Sequence, residues 1–304
     1  MDRSYWHELM EKTAFPAEAV DFLDRAGETL AAQGQEEAFD ALTAAYAAGG
    51  FHAEAVAPQV ESVAKAAGLS PYTVWFFLLA ESSKPVREDF AAKGIPEEIF
   101  WDTFSDLRAK INECKEVQGV WGNFVAFWYD IFFTGHIVKL GRMEYETAVN
   151  EWQDATLRGV SIPKGSVVRS IHIPASGEPF DRETRLASYR KAYEFFKPEL
   201  GGGPLVCVCH SWLLYPPYRE ILSPTSNIVD FMDDFDIIGQ DEDKEFGDCW
   251  RLFGRDYQKP TADLPERTSM QRAFKQYLLG GGVPGAGRGV LLFDGEKLLT
   301  GKKR

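Results

Sequence analysis

The sequence predicts an α+β chain, with a helical first part and a mixed α/β second part, and three observations lead to that expectation. At 304 residues the chain exceeds one ordinary core, so two domains are the natural reading. Apolar residues recur at three- and four-residue spacing through the first 118 residues. After Gly119 the texture changes to short apolar runs separated by helical stretches. The expected division is residues 1–120, helical, and 121–304, mixed.

In the first part, helices are expected over Ala17 to Ala32, Glu36 to Ala48, Ala53 to Ala67, Pro71 to Glu81 and Pro96 to Gln118. The punctuation agrees. Gly49-Gly50 stops the second helix, Gly68 stops the third, Ser70-Pro71 opens the fourth, and Pro96 sits in the first turn of the fifth. Alanine abundance and short turns point to a bundle rather than to repeats.

In the second part, Trp121 to Phe133 reads as one more helix. Strands are expected over Ile137 to Val149, Val167 to Ile173, Leu205 to Leu214, Trp250 to Phe253 and Gly289 to Phe293. Helices are expected over Arg182 to Phe196, Pro217 to Leu222 with a continuation near Ile228 to Asp233, and Met270 to Leu279. The order contains one parallel crossover, from Val167–Ile173 through Arg182–Phe196 to Leu205–Leu214.

Composition narrows the functional classes. A net charge of −13 argues against nucleic-acid binding, which needs a basic face to neutralise phosphates. Any polyanionic ligand would have to be held locally, by backbone amides and a helix N-terminus. The first eight residues lack a basic stretch followed by an apolar core, so no signal peptide is expected. The most apolar window, Phe124 to Val138, carries Asp130 and His136 and is too short to span a bilayer. Four cysteines in a chain this long do not make a disulfide framework, and a reducing cytoplasm is expected. A disordered tail is expected only at the basic Lys302, Lys303 and Arg304.

Three segments could carry chemistry. Ser170-Ile171-His172-Ile173-Pro174-Ala175-Ser176-Gly177 reads as a strand running into a small-residue turn, before a helix that starts near Asp181. Such a turn aims free N–H groups and a positive dipole end at one spot where a phosphate could sit. An ordinary capped strand–loop–helix accounts for the same string. In Val206 to Leu214, alternation sets Cys207, Cys209 and Ser211 on one face and Val206, Val208, His210 and Trp212 on the other. Adjacent Cys209 and His210 therefore cannot share a metal or form a nucleophile pair, and the cysteines read as buried structural thiols. No metal is expected. His172 and His210 lie at corresponding ends of two strands joined by one crossover, where two imidazoles could flank a cleft and act as base or acid, although satisfied core histidines are an equal alternative. In Leu140 to Glu146, Arg142, Glu144 and Glu146 share a strand face, either solvated or supplying a general base. Gly201-Gly202-Gly203, and Gly280-Gly281-Gly282 with Gly285, Gly287 and Gly289, follow a helix and precede a strand. That is the reverse of a phosphate-loop order, so they read as loops.

The strings from Ile95 to Leu107, from Leu140 to Glu146, Ile171-His172-Ile173-Pro174 and Cys209-His210-Ser211-Trp212-Leu213-Leu214 resemble a bacterial group of acyltransferase-domain proteins. These pair an N-acyltransferase N-terminal helical domain with a GNAT-like C-terminal domain, and the resemblance runs from about Ala38 to Phe293. It implies a central, partly splayed sheet. The pantetheine arm of acetyl-CoA, or of another acyl-CoA, would enter between Val167–Ile173 and Leu205–Leu214. It also implies an N-acyltransferase in which an amine attacks the thioester directly. The acceptor would be a small-molecule or peptide amine, and homo-oligomerisation is left open. His172, His210 and Glu146 are the candidates for acid/base roles, with Tyr215 or Tyr218 as donors to the leaving thiolate. Ile171, Ile173, Ala175, Ser176 and Gly177 are the candidates for cofactor binding. The family's phosphate turn, Arg/Gln-x-x-Gly-x-Gly/Ala, has no counterpart after Ile173, where Gly177 stands without companion glycines. That departure supports the alternative of a non-catalytic ligand-binding protein on the same fold. A hydrolase using Ser211 or Cys209 ranks behind both, because no Gly-x-Ser-x-Gly elbow is present.

Overall fold

The computed structural model describes residues 1–302. Of the basic tail expected to be disordered, Lys303 and Arg304 lie outside the described residues, while the Lys302 ammonium pairs with Asp233 at 3.3 Å. The chain forms two compact units, residues 1–139 together with 174–177, and residues 140–173 together with 178–304. The first unit thus continues past the boundary expected at residue 120.

Eight helices open the chain: α1 (Arg3–Lys12), α2 (Ala17–Ala32), α3 (Glu36–Ala48), α4 (Ala53–Ala67), α5 (Pro71–Ser82), α6 (Lys84–Ala92), α7 (Glu97–Phe104) and α8 (Asp106–Gln118). Helix α5 is apolar round most of its surface, so it becomes the buried centre on which α1, α3, α4, α6 and α8 pack. Ser70 caps it with Pro71 at its first position, as the sequence predicts. Trp6 of α1 stacks on Phe77 with ring centroids 4.4 Å apart, and its indole N–H donates to Glu81 at 2.8 Å.

The helix expected over Pro96 to Gln118 is broken at Ser105. Thr103 and Ser105 hydroxyls donate to the Ile99 and Asp102 carbonyls, a local competition that weakens helical continuity. The helix expected over Trp121 to Phe133 shrinks to α9 (Asp130–Phe133) after a short 3-10 turn. A Cβ on Gly122 would stand 2.4 Å from the Tyr72 backbone, and the Asn123 N–H donates to the Tyr72 carbonyl. The segment is thus pinned along α5 in a non-helical path.

The second unit holds most of a six-stranded sheet, in the order β1 (Ile137–Leu140), β2 (Met143–Val149), β5 (Val167–His172), β6 (Leu205–Ser211), β8 (Gly285–Phe293), β7 (Asp236–Glu242). A separate hairpin joins β3 (Ala155–Leu157) to β4 (Val160–Ile162) through Arg158 and Gly159, both at positive φ. Helix α10 (Arg182–Phe196) makes the expected crossover between β5 and β6, which pair in parallel. Three short helices complete the unit: α11 (Asn227–Met232), α12 (Cys249–Phe253) and α13 (Ser269–Leu279).

Four expectations change here. The strand expected over Ile137 to Val149 is a hairpin that turns at Gly141, where φ is +74°. Trp250 to Phe253 is helical, since four apolar residues cannot distinguish helix from strand. The strand expected to reach Leu214 ends at Ser211, whose hydroxyl caps a 3-10 turn. Gly285, Gly287 and Gly289 are not a loop but part of β8. Cβ atoms on them would meet Tyr215, Leu214 and Phe235 at 3.0 Å or less, so these glycines let the chain after β6 lie directly on the sheet.

One face of the sheet is covered by α10. The Ser188 hydroxyl donates to the Leu140 carbonyl at 2.6 Å and lies 3.0 Å from the Tyr145 hydroxyl, and the Arg169 guanidinium lies 4.1 Å from the Phe196 ring centroid. Cys207 and Cys209 are buried on this face. The other face carries a small core of Ile162, Val168, Val208, Val290 and Leu292, against which Leu157 and Val160 of the β3–β4 hairpin pack.

Candidate active site

The parallel pairing of β5 with β6 is short. Arg169 stands beside Cys207 and Ser170 beside Val208, and no further pair follows. Beyond those residues β5 continues in register with β2 as far as His172, and β6 in register with β8 as far as Ser211. The two central strands therefore part at their C-terminal ends. Alpha/beta sheets bind ligands at such ends.

Side chains on the parting ends follow from the register. Ser170 and Val208 share the face away from α10, so alternation sets His172 and His210 on it too, each two residues further on. Glu144 is opposite His172 and Glu146 is opposite Ser170, which brings both carboxylates to the same face. His172 and Glu146 meet diagonally, with Nε2 2.8 Å from Oε2. Both side chains are 23% exposed, enough for water or a substrate to reach them. Glu144 is buried. Burial pulls the Arg142 guanidinium below its ordinary value, opposed by Glu178 and Glu144.

His210 has a different carboxylate. Its Nε2 lies 3.6 Å from Asp241 Oδ2 on β7, while Asp241 Oδ1 accepts from Arg288 Nη2 at 3.2 Å. Arg288 is opposite His210 on β8, and its guanidinium lies over Gly239, where a Cβ would come within 3.1 Å. Neither Asp241 nor Arg288 is a candidate from the sequence. The alternation Gly287-Arg288-Gly289 hints that Arg288 stands out from a flat strand, but β7 and its register are invisible locally.

The other expected residues divide. Tyr218 is buried among Trp212, Phe274 and Tyr277, its hydroxyl accepts from the Gly285 N–H at 3.2 Å, and burial raises its pKa. Tyr215 is buried and raised for the same reason. The Ser211 hydroxyl is taken up by the Leu213 N–H. Burial pushes Cys209 up to about 12 and raises Cys207 as well, so neither is a nucleophile near neutrality. Ile171 is buried, Ile173 and Ser176 are half-buried, and Ala175 and Gly177 are exposed. Gly177 has φ +79° and open space where a side chain would be.

The α10 N-terminus is capped by Asp181, whose carboxylate accepts from the Thr184 N–H at 2.9 Å. A negative charge thus already answers that dipole end. An open groove of about 530 Å³, lined in part by Arg158, Arg219, Asp233 and Asp236, includes none of the candidate residues. Its arginines are paired with Asp236 and Asp233. Among the described residues no group of three or more His, Cys, Asp or Glu side chains could hold a metal ion. No single helix among them is long and apolar enough to cross a membrane.

Two family models match the sequence, the GNAT-like C-terminal domain over residues 137–291 and the N-acyltransferase N-terminal domain over residues 5–135. The chain belongs to this acyltransferase family. The resemblance read from the sequence strings is therefore correct, as is the fold class. The fold is similar to that of an acyltransferase solved in complex with decanoyl-CoA and teicoplanin, with TM-score 0.70, 20% identity, and 94% of this chain and 87% of that chain covered. The structure of an acyltransferase with CoA and 10C-teicoplanin matches equally, and one with decanoyl-CoA matches at TM-score 0.68 and 20% identity over 93% and 86% of the two chains. No curated protein matches in sequence.

Proposed function

We propose that this protein is an acyl-CoA-dependent N-acyltransferase, and the observation that carries the reading is the His172–Glu146 pair at the parting ends of β5 and β6. The thioester lies in the opening between the strands. The amine nitrogen attacks its carbonyl carbon, a C–N bond forms, and the C–S bond breaks. His172 takes the proton that the amine loses, and the Glu146 carboxylate stabilises the resulting imidazolium. Backbone N–H groups at the opening stabilise the oxyanion. Ile171 and Ile173 flank the pantetheine arm. Ala175, Ser176 and Gly177 stay the candidates for binding the pyrophosphate through their backbone.

The donor is an acyl-CoA. Acetyl-CoA is the expectation from sequence, and the similar structures hold decanoyl-CoA, so the test spans both lengths. The acceptor is a small-molecule or peptide amine, a class that includes the teicoplanin bound in a similar structure. A cytoplasmic setting belongs to the same proposal and is supported by four cysteines that are all free thiols.

A ligand-binding role without catalysis is the second reading, favoured by the lone Gly177 and the carboxylate at the α10 N-terminus. Thermal melts with CoA, acetyl-CoA and decanoyl-CoA, paired with release of free CoA thiol in the presence of amines, separate the two. A donor at a hundred times its dissociation constant should stabilise the fold by about 2.7 kcal/mol. The enzyme reading expects this shift, its reduction by Gly177→Leu, and thiol release that His172→Ala abolishes. A shift without thiol release supports the binding protein. No shift at millimolar CoA contradicts both.

A further inference from the structure

Acyl transfer needs two proton steps, one from the amine and one to the departing thiolate, and the His172–Glu146 pair serves only the first. We propose that His210, oriented by Asp241 and held through it by Arg288, delivers the proton to the leaving sulfur. This inference rests on the acyltransferase reading above and extends it to a second catalytic residue with two positioning residues.

Four observations carry it. His172 and His210 both stand three residues beyond the paired Arg169 and Cys207, on the same face, so they occupy the two rims of one opening. Each rim has its own carboxylate, Glu146 on β2 and Asp241 on β7. Asp241 divides its oxygens, Oδ1 toward Arg288 at 3.2 Å and Oδ2 toward His210 at 3.6 Å, while Arg288 is seated over Gly239. The arrangement sets a carboxylate beside an imidazole, both 53% exposed and within ion-pair reach of each other. Finally, other proton donors on and after β6 are committed elsewhere. Tyr218 is enclosed with its hydroxyl at the Gly285 N–H, and Cys207 and Cys209 of β6 lie on the covered face.

The step balances simply. The C–S bond breaks with its electron pair on sulfur, His210 gives its proton to that sulfur, and the neutral imidazole is reprotonated from solvent before the next turnover. A donor whose thiolate is stable without a proton should remove the need for His210.

The test compares octanoyl-CoA with the octanoyl thioester of 4-nitrothiophenol, reading thiol release with glycinamide as acceptor and with water alone. Against wild type on the same donor, His210→Gln should lose about 10²-fold or more with octanoyl-CoA and recover most of that with the aryl thioester. His172→Ala should stay low with both donors. Asp241→Asn and Arg288→Gln should show smaller losses with the same selective recovery, and Arg288→Lys should restore part of the rate. Melting temperatures control for folding, and the exposure of His210 predicts little change for His210→Gln. Equal losses with both donors would overturn the assignment of His210 while leaving acyl transfer intact. A wild-type protein that releases thiol from neither donor would overturn the acyltransferase reading itself.

Discussion

The two faces of the central sheet share six strands but have opposite chemistry. On the face covered by α10, Tyr145, Cys207 and Cys209 are fully enclosed, and burial raises the pKa of all three. On the other face the apolar core of Val168, Val208 and Val290 gives way, toward the parting strand ends, to Glu144, Glu146, His172, His210 and Arg288. The difference teaches where reactivity can reside. The more nucleophilic side chains, the thiols, sit where nothing can reach them, and the chemistry falls to imidazoles that solvent and substrate can approach.

The comparison breaks most visibly at His172. His172→Ala should lower kcat/KM for acyl transfer by about 10²- to 10⁴-fold at an unchanged melting temperature, as steady-state thiol release would show. Arg185→Ala should do the reverse. On the covered side, Arg185 is fully buried, with Nε 2.8 Å from Asp234 Oδ2 and a second ion pair to Asp230. Breaking such a pair costs about 3–5 kcal/mol, which denaturant titration measures as lost stability. Glu146→Gln sharpens the contrast on the chemical face. Misorienting the imidazole should cost up to about 10²-fold in kcat with little change in KM.

Much of this arrangement was legible before the structure, and the reasons differ by element. Helices α2, α3 and α4 begin and end where periodicity and glycine punctuation predict, because each is a local amphipathic unit. The β5–α10–β6 crossover is equally readable. Helices α1 and α6 leave little trace in the sequence, since their short charged segments depend on packing against α5 rather than on a strong pattern of their own. Strand β7, Asp236–Glu242, is not legible in the sequence because its polar second half and Gly239 resemble a loop until β8 pairs with it.

The candidate site shows the same division. His172 and Glu146 could be named singly from their strands, but their contact depends on the antiparallel register of β2 with β5, residues 26 apart in sequence. Asp241 and Arg288 required the registers of β7 and β8, set by long-range pairing that no local pattern encodes.

The smallest effects are expected where the covered face is left closed. At pH 8, iodoacetamide should leave Cys207 and Cys209 unmodified in the folded protein and label them after denaturation, as mass spectrometry would show. Cys209 is raised from 9.0 to about 12 by burial, so the folded state holds its proton more tightly. The corresponding stability is fully present below about pH 9 and is lost as pH rises toward 12. Alkaline unfolding monitored by circular dichroism checks this, and a Cys209→Ala variant should flatten that part of the profile.

The most direct test of the central claim is single-turnover release of CoA from a bound acyl-CoA, measured side by side for wild type and His172→Ala at saturating donor. The account predicts that both proteins bind the donor with similar affinity and that only the wild type releases thiol at a catalysed rate when an amine is added. Equal release rates from the two proteins would contradict it and would move the chemistry away from the parting ends of β5 and β6.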